Sequence, residues 1–183
     1  PSVQFARRLH GFGWLRHMRA DKSPAACSNA RQLTDQWISL HGRRTHDLAW
    51  NSEVVSRRII SWLSHSPILL QDADPGFYRR FTSSLGQQVL YLQRRVDSLP
   101  DGLPRLKARI ALAMASVATE ARPAAVRPAG RMLDRELERQ ILADGSHVSR
   151  NPQACVDLLF DLLPLRQSYI NLGHEVQIGR AHV

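Results

Sequence analysis

FYRRFTSSLGQQVLYLQRRVDSL, residues 77–99, places Phe77, Phe81, Leu85, Val89, Leu92, Val96 and Leu99 at successive steps of three or four. Steps of that size return to one face of a 3.6-residue helix, so the stretch predicts a helix with a single buried stripe. The same spacing recurs on both sides of it. Ala30, Leu33, Trp37 and Leu40 form one stripe, and Val55, Ile59, Trp62 and Leu63 another. Leu106, Ile110, Met114 and Val117 follow, then Leu133, Leu137 and Ile141. Cys155, Leu159, Leu162, Leu163 and Tyr169 close the series. No segment alternates with period two over a strand's length, so the class expected is all-α.

The boundaries agree with that reading. Ser23-Pro24, Asp74-Pro75 and Asn151-Pro152 each set a capping side chain before a proline suited to the first helical turn. Asp101-Gly102 and Asp144-Gly145 break the chain between stripes. Six or seven helices of roughly 12–24 residues are expected, joined by short loops that make neighbours antiparallel. Pro164 should kink the last of them, because it removes a backbone donor and crowds the Phe160 carbonyl. A bundle, a solenoid and a toroid all satisfy this pattern.

Composition narrows the class further. The 183 residues are 43% hydrophobic, enough for a sizeable core. No apolar run reaches the roughly 20 residues a membrane span needs. Net charge is +9, and Lys22 and Lys107 are the only lysines among 25 basic residues. Arginine suits bidentate recognition of carboxylate or sulfate, so an acidic polymer is a physically reasonable partner. A surface rich in arginine codons gives the same count without any partner. No recognition helix with clustered base-reaching side chains is evident, so no nucleic-acid partner is expected. Cys27 and Cys155 fall on apolar stripes and imply no disulfide framework. His41 and His46 lack a third ligand at metal spacing, and Gly11 and Gly13 follow no strand. Neither a metal nor a cofactor is expected.

Residues 144–152, DGSHVSRNP, hold the densest chemistry: an acid, a histidine, an arginine and an asparagine between two apolar stripes. His147 titrates near neutrality in its ordinary state. Arg150 is suited to clamping a carboxylate. Asn151 reads both as a sugar or carboxylate ligand and as the cap before Pro152. Trp14 and Trp50 lie beside arginines and histidines and are candidates for stacking on sugar faces, whereas Trp37 and Trp62 sit on core stripes.

The run LERQILADGSHVSRNP (137–152) and the following LLFDLLPLRQ (158–167) resemble the heparinase II/III family of polysaccharide lyases. GFGWLRHMRA (11–20), AWNSEVVSRRIISWLSH (49–65) and DGLPRLKARIALA (101–113) resemble that family's N-terminal helical domain. The resemblance implies an incomplete α/α toroid of helical hairpins over residues 1–173, followed in the family by a β-sandwich-like domain that this sequence does not contain. It implies β-elimination on uronic-acid glycans, in which the carboxylate is neutralised, the C5 proton removed and the leaving oxygen protonated. On that reading His147 is the catalytic candidate, with Arg150, Asn151, Trp14 and Trp50 binding an acidic polysaccharide. Ala154 and Cys155 stand where the family carries Tyr-His, and LPRLKA (103–108) where it carries Asn-His. A catalytically eroded glycan-binding or assembly protein is therefore the second reading.

The two ends carry expectations of their own. Residues 1–10 are too polar for a signal core, so any export signal is expected upstream, and neither periplasm nor cytoplasm is favoured. IGRAHV (178–183) back-translates into a sequencing-adapter-like string, so 174–183 are expected to be a non-native or disordered tail.

Overall fold

The computed structural model describes residues 2–21, 23–43, 45–118 and 123–171, with side chains from 126 onward in the last stretch. The expected lack of packing partners for Ile178 and Val183 lies outside the described residues. Those residues are helical nearly throughout, with one isolated antiparallel bridge between Ile141 and His147. The chain divides into two compact units, Pro1–Arg94 and Arg95–Val183.

Unit 1 contains α1 (Val3–His10), α2 (Leu15–Asp21), α3 (Pro24–His41), a 3₁₀ turn (Leu48–Trp50), α4 (Ser52–Ser64), α5 (Ser66–Leu70) and α6 (Pro75–Gln93). The starts are set by the caps that the sequence advertises. The Ser23 hydroxyl accepts from the Ala26 N–H at 3.1 Å and the Asp74 carboxylate from the Phe77 N–H at 2.9 Å. Each satisfies a donor that the first helical turn leaves open. α1, α2 and α5 were not legible as separate helices, because five to eight residues are too few to show a period.

The core of unit 1 is aromatic. Trp62 of α4 stacks on Phe81 of α6 at 4.9 Å and meets Phe12 and Trp37 edge-on at 5.4 and 5.8 Å. Such arrangements align ring edges with ring faces and add to the area term. Phe12 reaches the cluster from a left-handed backbone (φ 59°) in the turn between α1 and α2. Trp37 and Trp62 are thus core residues, as their stripes implied. On α3 the buried face is Ala26, Ala30, Thr34 and Trp37, while Leu33 and Leu40 point outward.

Unit 2 contains a 3₁₀ turn (Val96–Ser98), α7 (Leu103–Ala118), α8 (Pro123–Gln140) and α9 (Pro152–Asn171). α7 packs against both α8 and α9. Its buried residues include Ala108, Ala111, Ala113 and Ala115 beside Leu106 and Ile110, so neighbouring helices approach it with little side-chain bulk between. Leu133 of α8 and Leu165 of α9 complete this core. α9 runs through Pro164 as one helix. Its buried face is Ala154, Leu158, Leu165 and Tyr169; of the stripe expected from sequence only Tyr169 is buried, while Leu159 and Leu163 are exposed and Cys155 and Leu162 lie between. The helix is apolar on most of its circumference, and periodicity cannot orient such a helix.

Candidate functional site

The loop at 144–152 turns out to be a closed structural device. Gly145 has φ 78°, which an L side chain tolerates poorly, and it lets the chain reverse between Leu142 and Ser146. The Leu142 N–H then donates to the Ser146 carbonyl and the Val148 N–H to the Gln140 carbonyl, both at 2.8 Å. Asp144 accepts from the Ser146 hydroxyl at 2.6 Å, the Ser146 N–H at 2.9 Å and Arg150 Nη1 at 2.5 Å. The Ser146 hydrogen bonds first, and Arg150 after them, hold this carboxyl well below the usual carboxylate range. It is a turn-former and a counter-ion.

His147 is the residue on which the catalytic expectation rested, and it is 1% exposed. Its Nδ1 lies 2.8 Å from the Ser149 hydroxyl and accepts from the Ser149 N–H at 3.1 Å. That leaves the proton on Nε2, which donates to Gln140 Oε1 at 2.9 Å. Gln140 in turn donates to the buried Glu136 carboxylate at 2.8 Å. Arg105 and Arg139 stand 3.8 and 3.6 Å from the other oxygen of that carboxylate. Burial pushes the His147 pKa down, so the ring is neutral and both nitrogens are occupied. The structure makes His147 the pin that fastens the loop to α8. It presents no lone pair or proton to a substrate.

The proposed substrate ligands are also accounted for internally. The exposed Arg150 side chain is clamped by Asp144 of its own loop. Asn151 accepts from the Gln153 N–H at 3.0 Å, which is the capping role. Trp50 is buried: its Nε1 donates to the His41 carbonyl at 2.7 Å and its ring meets Tyr91 edge-on at 5.0 Å. Trp14 is half-buried against Phe12 and donates to the Leu9 carbonyl at 3.2 Å. The two tryptophans belong to unit 1 and His147 to unit 2, each unit standing as a body of its own. A shallow depression of about 320 Å³ on α3 is lined by Gln32, Asp35, Gln36, Ser39 and Leu40. Its carboxylate is held by Arg80 through two 2.8 Å hydrogen bonds.

The most unusual electrostatics lie elsewhere, around Arg58 of α4. This guanidinium is fully buried, and none of its hydrogen bonds goes to a carboxylate. Nε donates to Gln88 Oε1 at 2.7 Å, and Nη1 donates to the carbonyls of His10 and Ala49 at 3.0 and 2.8 Å. The group lies 4.0 Å over the Trp37 ring and 5.9 Å from that of Trp50. Ring faces and carbonyl dipoles replace the counter-ion. Burial still pulls the Arg58 pKa down to about 9. Beside it, His10 Nδ1 accepts from Trp37 Nε1 at 3.0 Å, and the His10 and His41 rings meet edge-on at 4.7 Å. Arg58 thereby ties α1, α6 and the 3₁₀ turn to α4. Its position was legible in principle, because it falls three residues after Val55 and four before Trp62, inside the apolar stripe.

A pH dependence follows. The His10 pKa is lowered by burial first, then by His41 and Arg58, with Asp47 opposing. The His65 pKa is lowered by burial, with Arg19 and Arg16 adding to it against a hydrogen bond to the Ser61 carbonyl. A histidine whose folded pKa lies below its unfolded value takes up protons preferentially in the unfolded chain. Its stabilising contribution is complete above about pH 6.5 and is lost as pH falls through the folded values. All four tryptophans lie in unit 1, so their fluorescence reports this unit alone. The urea midpoint read this way is expected to be lower at pH 5 than at pH 7.5. His10→Asn, which keeps an acceptor for Trp37 Nε1, should narrow the gap. Equal midpoints at both pH values would refute the account.

Among the described residues no three His, Cys, Asp or Glu side chains gather as a metal site, and no helix is long and apolar enough to cross a membrane. No family model matches the chain, and no solved structure matches it. The chain is similar to FtsZ-localized protein C of Caulobacter vibrioides, with 29% identity over 167 residues. That match covers 90% of this chain and 28% of the relative's length. The expectation of a polysaccharide lyase domain, with its glycan-binding alternative, is corrected by this finding: the relative that runs along nearly the whole chain is named for localisation with FtsZ. The burial of His147 and Trp50 gives the physical counterpart of that correction.

Proposed function

We propose that this chain is a helical segment of a cell-division-associated protein that localises with FtsZ, working by binding. The observation that carries the reading is the similarity to FtsZ-localized protein C, which extends over 90% of the chain. The state of the candidate side chains supports it. His147, Arg150, Asn151 and Trp50 each have partners within the fold. Charge indicates the kind of partner. Unit 1 holds 13 Lys and Arg against 6 Asp and Glu, net +7, while unit 2 holds 12 against 10, net +2. A basic unit favours an acidic protein surface, through attraction that salt weakens. The incomplete toroid belongs to this proposal as well, supported by the packing of α7 against both α8 and α9.

The test is to express the chain as a fluorescent fusion in Caulobacter vibrioides carrying a differently labelled FtsZ. Co-localisation at the division site is expected, and it should disperse when FtsZ is depleted. A fusion of normal abundance that spreads evenly through dividing cells would refute the proposal.

A further inference from the structure

α9 has two apolar faces, and unit 2 uses one. Ala154, Leu158, Leu165 and Tyr169 are buried. On the other side Val156, Leu159, Phe160, Leu163 and Ile170 are 45–69% exposed. Val156, Leu163 and Ile170 follow one another at intervals of seven, with Leu159 and Phe160 between the first two. That is the spacing of a helix–helix seam. The acids of the helix lie away from it: Asp157 and Asp161 are 3.8 and 4.0 Å from Lys107 of α7. Arg166 borders the stripe. Monomeric proteins rarely leave contiguous apolar patches of more than a few hundred Å² open to water.

We infer that this face of α9 is a self-association surface, occupied by α9 of a second copy running antiparallel. Part of the stripe is self-complementary about Leu163, while Leu159 falls opposite Gln167 of the second copy. Val156 and Ile170 lie seven residues to either side of Leu163, so a two-fold axis there sets Leu163 against its own counterpart and Val156 against Ile170 of the second copy. The same axis brings Phe160 level with Arg166 of the second copy, within the reach of a ring–guanidinium contact. Such a pairing is closed and uses one patch twice, as isologous dimers do. Five exposed side chains per copy make a patch at the small end of specific interfaces, which begin at about 1,000 Å² in total. A reversible dimer of modest affinity is the result.

The experiment is sedimentation equilibrium of the 183-residue chain from about 2 to about 200 µM, the range over which interfaces of this size form. The mass should rise from the 20.7 kDa monomer toward twice that value. Leu163→Glu, which places two carboxylates on the axis, should weaken dimerisation at least tenfold, and Phe160→Glu should do so less strongly. Both positions are exposed, so helix content by circular dichroism should stay unchanged and show that the variants fold. A chain that remains monomeric throughout, whether the stripe is bare or covered by another part of the molecule, overturns the inference. So does a dimer that both variants leave intact.

Discussion

Arg58→Ala should destabilise unit 1 by about 3–5 kcal/mol, from orphaned buried acceptors together with a void in the core. The substitution leaves Gln88 Oε1 and the carbonyls of His10 and Ala49 without their donor. Each orphaned buried group costs about 1–3 kcal/mol. It also opens a void beneath the Trp37 ring, which stacks on the guanidinium at 4.0 Å. Arg58→Lys retains the charge but cannot serve both carbonyls and the glutamine from one ammonium group, and it should recover only part of the loss. Arg58→Met keeps much of the volume and removes the buried charge, so it should fall between Lys and Ala. Urea unfolding followed by tryptophan fluorescence separates these outcomes, because the probes sit only in unit 1 and a two-unit chain is not two-state as a whole. An Arg58→Ala midpoint within error of wild type would mean that the network contributes nothing net.

Trp62→Ala should cost a similar amount, about 3–5 kcal/mol, for a different reason. Trp62 is fully buried at the centre of the rings of Phe12, Trp37 and Phe81, and truncation leaves a cavity that three helices and a turn would have to collapse around. Trp62→Phe keeps one aromatic ring and leaves a smaller cavity, so it should cost clearly less than Ala. Trp62 Nε1 has no hydrogen-bond partner among the described residues, so phenylalanine forfeits none. Thermal unfolding followed by circular dichroism is the appropriate readout, since both variants remove a fluorophore. If Phe proves as damaging as Ala, the indole N–H has a role that the packing does not reveal.

The corrected function and the corrected site share a cause. Residue types in DGSHVSRNP suit acid–base and carboxylate chemistry, and composition alone does not tell a solvent-facing histidine from a buried one. The deciding contacts of His147 are with Gln140, seven residues earlier, and with Ser149. These form only once the loop has folded back on α8, and the Glu136–Gln140–His147 chain exists only in that conformation. Two local signals favoured structure, the Asp144-Gly145 turn and the Asn151-Pro152 cap; the positive φ of Gly145 agrees with the first and the 3.0 Å bond from the Gln153 N–H with the second.

Read alone, the sequence determined the helical class, the helix starts at Ser23 and Asp74, the turn at Gly145, and the buried stripes of α4 and α7. Those features depend on interactions within four residues along the chain, where period and cap chemistry act directly. Tertiary structure alone decided which face of α9 is buried, because a helix apolar on nearly all sides offers several equivalent stripes and its neighbours choose among them. It also decided that Arg58 needs no carboxylate: carbonyls from α1 and the 3₁₀ turn, an amide from α6 and the ring of Trp37 converge on it only in the folded unit. A charge can be buried that way when enough oriented dipoles meet at one point, and no spacing along the chain encodes that meeting.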